Sequence, residues 1–80
     1  MFVASLIVER GSTTQASQDW GQYEFLGQPS PADRIMVMHE GAENFLTVLC
    51  VHHRASPAGS GQAPTAEVVA KWTGSAPKLR

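Results

Sequence analysis

Apolar residues run along this chain in short blocks, separated by clusters of glycine, proline and small polar residues. That punctuation suits strands better than helices. Residues 2–9 (FVASLIVE) are rich in β-branched and apolar types and run into Gly11, Ser12, Thr13 and Thr14, so they read as a first strand. The polar stretch 13–18 reads as a connection. Residues 19–26 alternate in part, setting Trp20, Gln22 and Glu24 against Tyr23 and Phe25. Their aromatic content favours a second strand, with Gly21 as a bulge.

Residues 27–33 (GQPSPAD) contain two prolines, which remove backbone donors and hold their neighbours extended. This bend leads to the strongest signal, residues 34–54. Two apolar arms, 35–39 and 45–53, flank the segment 40–44 (EGAEN), where Gly41 can supply the positive φ of a hairpin tip. Period alone leaves a helix open for each arm. The intervening glycine, the β-branched content and the arm lengths favour a hairpin. Residues 55–64, small and rich in glycine and proline, read as the longest loop. Residues 65–72 then alternate, with Ala66, Val68, Ala70 and Trp72 on one face and Glu67, Val69 and Lys71 on the other, as a closing strand. The expected organisation is a single β domain over residues 1–72 with a flexible tail at 73–80.

Both faces of the long second arm are apolar, with Leu46, Val48 and Cys50 on one side and Phe45, Thr47, Leu49 and Val51 on the other. A simple two-layer sheet keeps one face wet. The pattern therefore predicts an all-β fold of about five strands, either a small barrel or a strongly bent antiparallel sheet. It fits equally a sheet whose outer face packs on a second subunit.

The run Phe25-Leu26-Gly27, then Pro31-Ala32-Asp33-Arg34-Ile35, then a hairpin ending Val51-His52-His53, resembles short bacterial proteins of unknown function with SH3-like barrels. The likeness covers roughly residues 20 to 72 and rests on turn chemistry. Such sequences commonly carry glycine before the Asp-Arg pair, where this chain has Ala32. The resemblance implies a fold and brings no activity with it.

Eighty residues are enough for one domain and leave a thin core, since a chain of this size buries only about 60–65% of its unfolded surface. The single Cys50 excludes an internal disulfide, and there is no CxxC pair for zinc. Stability must come from packing or self-association. Six basic and seven acidic residues give a net charge of −1, and Arg10, Arg34, Arg54, Lys71, Lys78 and Arg80 are scattered, only the last two lying close together. That distribution argues against nucleic acid, whose binders concentrate positive charge. The apolar start lacks a basic flank and stops at Glu9, and no stretch approaches the roughly 20 apolar residues of a membrane span. With one free cysteine, the expected compartment is the cytoplasm.

Candidate chemistry is sparse. His52 and His53 are neighbours on a strand and point to opposite faces, so they cannot readily share an ion, and His39 lies far up the other arm. Cys50 and His52 share a face, as a nucleophile and its base would, but the apolar setting of Cys50 reads as a buried structural thiol. Gly59-Ser60-Gly61 lacks the lysine and helix of a phosphate loop, and no G-x-S-x-G elbow exists. No catalytic, metal or cofactor site is therefore expected. Phe25 and Phe45 read as core. Trp20 and Trp72, near strand ends, and Met36 and Met38, on one strand face, are the candidate protein contacts. The expected function is a non-enzymatic interaction module that associates with itself or another protein through an apolar sheet face. The alternative is a nucleic-acid-binding barrel using Arg34 and Arg54 with nearby aromatics. An enzyme joining Cys50 to a histidine ranks third.

Overall fold

The computed structural model describes residues 1–10 and 17–77, which form five strands and no helix. These are β1 (Phe2–Glu9), β2 (Ser17–Phe25), β3 (Arg34–His39), β4 (Ala42–Arg54) and β5 (Thr65–Pro77). They make one sheet in the order β2-β1-β5-β4-β3, curled into a half-barrel. The all-β expectation holds in its bent-sheet form.

One pairing departs from a purely antiparallel sheet. Every connection reverses the chain, so the first and fifth strands run the same way, and as neighbours they must pair in parallel. Ser5 aligns with Glu67 and Glu9 with Lys71. The remaining pairs are antiparallel.

The concave face holds the core. Alternate residues supply it: Ala4, Leu6 and Val8 from β1, Leu46 and Val48 from β4, Val68 and Ala70 from β5, with Val37 from β3. Each fully buried Leu or Val contributes about 1.5–3 kcal/mol. Half-buried aromatics, among them Trp20, Tyr23, Phe25 and Trp72, close over this cluster.

Three bulges reset the alternation, each correcting the facing expected from strict period two. In β2, Trp20 and Gly21 together oppose Leu6, where the register slips between Ser5 and Ile7. Gly21 takes φ +95°, and its N–H donates to Asp19 Oδ1 at 2.8 Å. The extra residue carries Trp20 to the core side with Tyr23 and Phe25, not opposite them. In β4 the register slips between Val48 and Cys50, leaving Leu49 as the extra residue. Past it the two faces exchange. Val51 turns to the core, and Cys50 turns outward beside Val69. In β5, Leu46 faces Trp72 but Phe45 faces Gly74, so Thr73 is the extra residue. The strand then continues, with Ala42 paired to Pro77, through residues expected to form a tail. Residues 78–80 of that expected tail lie outside the described residues.

The hairpin tip is tighter than the expected 40–44 segment. Only Glu40 and Gly41 stand between the strands, both with positive φ (54° and 80°), as a two-residue type I′ turn requires. Ala42, Glu43 and Asn44 belong to β4. Residues 26–33 join β2 to β3, the two edges of the sheet, which a flat arrangement would hold about 19 Å apart. Eight extended residues could span that distance, and the curl leaves the link slack enough to hold a turn. Its last turn has Pro31 second and Ala32 third with φ 75°, and Asp33 N–H donates to Ser30 O at 3.0 Å, the pattern of a type II turn. Ala32 N–H then donates to Val48 O, and Val48 N–H to Asp33 O, each at 2.8 Å, which fastens the link to β4.

Candidate interaction surface

Core on one side of a sheet leaves the other side to solvent, and the convex face of β3 and β4 is unusually apolar for that position. The ladder sets Arg34 opposite Thr47, Met36 opposite Phe45, and Met38 opposite Glu43. All six side chains point outward, because Val37, Asn44 and Leu46, at the intervening positions, point in and are buried. Met36 is 69% exposed and Met38 46%, while Phe45 is half-buried between its neighbours. The result is a thioether and aromatic patch rather than a wetted polar face. A shallow groove runs along it, lined by Arg34, Met36, Phe45, Thr47 and Thr73 together with Ile35 and Leu46 of the same two strands. Thr73 fixes the floor by donating its hydroxyl to Phe45 O at 2.9 Å. The patch is bounded by charge at opposite corners, Arg34 at one and Glu43 at the other. Neither is ion-paired among the described residues, where the one close pair is His39 with Glu40 at 3.8 Å.

Of the four contact residues expected from the sequence, the structure brings Met36 and Met38 together here and places both tryptophans on the concave side. Trp72 packs against the core, donates Nε1–H to Asn44 Oδ1 at 3.0 Å, and carries the Arg10 guanidinium 4.4 Å from its ring. Asn44 is itself buried. Its Nδ2 donates to His39 O and Ala42 O, so one side chain ties the hairpin tip to β5. Trp20 stacks on His39 across the gap between the unpaired edges of β2 and β3. Phe45, read from sequence as core, is an outward residue. Its parity beside Leu46 and Val48 carried that signal, and its size pointed the other way.

The bulge at Leu49 also moves Cys50. Expected to be buried, the thiol is half-buried on the convex face, with Sγ 3.3 Å from Nε2 of the exposed His52. The shared face foreseen for this pair is therefore present, but on an open convex surface. His53 points the other way, its ring edge-on to Phe2 at 6.3 Å. His39 pairs with Ala42, which puts it about 36 Å of strand from His53. No three His, Cys, Asp or Glu side chains converge on a metal site among the described residues. Arg34 registers with Thr47, about 23 Å along β4 from Arg54, so the fold does not gather these two arginines. No helix among the described residues is long and apolar enough to cross a membrane. Comparison with protein-family models, with curated proteins and with solved structures gives no match.

Proposed function

We propose that this protein is a non-enzymatic interaction module that works by self-association through the convex face of the β3–β4 hairpin. The observation that carries the reading is Met36, 69% exposed beside the outward ring of Phe45, with Met38 next along the strand. Removing such surface from water yields about 25 cal/mol per Å², with no polar group to desolvate at the centre of the patch. Methionine also adapts its shape to an opposing surface at little cost. A half-buried free thiol on the surface fits a reducing compartment, and we place the protein in the cytoplasm on that ground.

Light scattering across rising protein concentration tests the reading. The wild-type mass rises above that of one chain, and Met36→Lys holds the protein at one chain with an unchanged circular dichroism spectrum. A wild-type protein that stays at one chain at millimolar concentration overturns it.

A further inference from the structure

We infer that the associated form is a two-fold dimer of convex faces, with Arg34 of each copy set against Glu43 of the other. The inference rests on the self-association proposed above and adds its geometry. Three successive outward pairs define the patch: Arg34 with Thr47, Met36 with Phe45, and Met38 with Glu43. Arg34 and Glu43 sit on different strands, one pair before and one pair after the centre, each about 7 Å along the strand from it. The surface thus reads positive, apolar, negative along one diagonal.

A closed two-fold interface requires that if residue i meets residue j, then j meets i. This diagonal meets that requirement. An axis lying in the contact plane, through the Met36–Phe45 pair and perpendicular to the diagonal, reverses the diagonal onto itself. It lays the apolar centre on its counterpart and brings each Arg34 over the partner's Glu43. The diagonal leans about 20° from the strands, given spacings of about 4.8 Å between strands and 13 Å along them. The two sheets then cross at about 40°, near the 30° of aligned sheet packing.

The surrounding charges agree with this placement. Glu40, at the hairpin tip, adds negative charge at the Glu43 end. Lys71 and Glu9 continue the Arg34–Thr47 row across β5 and β1, away from the contact. The carboxylate of Asp33, next to Arg34 in sequence, accepts from Ser30 N–H and is engaged within its own turn. Both copies present a convex surface, so contact is confined to the hairpins and the dimer is weak and salt-sensitive.

Charge exchange tests the geometry by sedimentation equilibrium at low salt. Arg34→Glu and Glu43→Arg, each alone, set like charges together at both corners and weaken pairing about tenfold or more. Mixed one to one, these variants restore opposite charges at both corners and pair as the wild type does. Arg34→Gln and Glu43→Gln give the milder loss, and circular dichroism confirms that each variant is folded. Wild-type pairing that the single reversals leave unchanged, or a mixture that stays monomeric, overturns this geometry while self-association stands. A wild-type protein monomeric throughout overturns both.

Discussion

The indole of Trp20 lies flat on the imidazole of His39, with ring centroids 3.8 Å apart and planes 6° from parallel. The two residues belong to β2 and β3, the free edges of the curled sheet, which form no ladder with each other. The stack therefore spans the open seam of the half-barrel and holds its edges at a fixed separation. An aromatic pair of this kind contributes about 0.5–1.5 kcal/mol beyond the area it buries. Urea unfolding of Trp20→Ala, His39→Ala and the double variant should give a coupling energy in that range. Additive losses would show that the seam is not held there.

Ala32 occupies the third position of its turn with φ 75°, a conformation that costs a residue with a Cβ about 1–2 kcal/mol. Glycine has no such penalty and forfeits part of the gain through its freer unfolded chain. Ala32→Gly should therefore raise stability by about 0.5–1 kcal/mol in thermal or denaturant unfolding. A loss on this substitution would mean that the left-handed turn does not form in solution.

Asn44 is a buried polar side chain with every hydrogen-bonding group engaged: Trp72 Nε1–H on its oxygen, and His39 O and Ala42 O on its amide. Asn44→Ala strands the indole N–H and removes two side-chain bonds to the carbonyls at the hairpin tip, and should cost about 1–3 kcal/mol. The same variant should alter the emission of Trp72, measurable against a Trp20→Phe background. Neutral behaviour in both measurements would remove the link between hairpin tip and β5.

Leu46 and Leu49 are three residues apart on one strand and differ sharply in burial, 1% against 42% exposed. Leu46→Ala should cost about 2–5 kcal/mol. Leu49→Ala, at the extra residue of the bulge, should change stability by less than about 0.5 kcal/mol. Similar losses at both positions would place the bulge elsewhere.

The strands of this fold were legible because their signals are local. β-branched and apolar content marks β1, period-two alternation marks the first half of β5, and Gly41 between two apolar arms marks the hairpin. Bulges were legible only where a residue type announces them. Gly21 does so, and Leu49 and Thr73 look like ordinary strand residues. Missing the bulge at Leu49 exchanged the faces of Cys50 and Val51. On the convex face, Met36 and Met38 were readable as outward neighbours. The alternation of Trp72 with Val68 and Ala70 points inward and its place near a strand end points outward, while its partner Asn44, 28 residues away in the chain, leaves no local trace to decide between them. The size of Phe45 points inward, and its parity beside the buried Asn44 and Leu46 points outward.

The parallel ladder between β1 and β5 governs when this protein can fold. Ser5 meets Glu67, so β1 lies against a strand translated about sixty residues later. Until β5 emerges, β1 has only β2 to pair with, and two strands alone are marginal in water. Closing so long a loop is entropically slow. Until then the core residues Leu6 and Val8 lie uncovered.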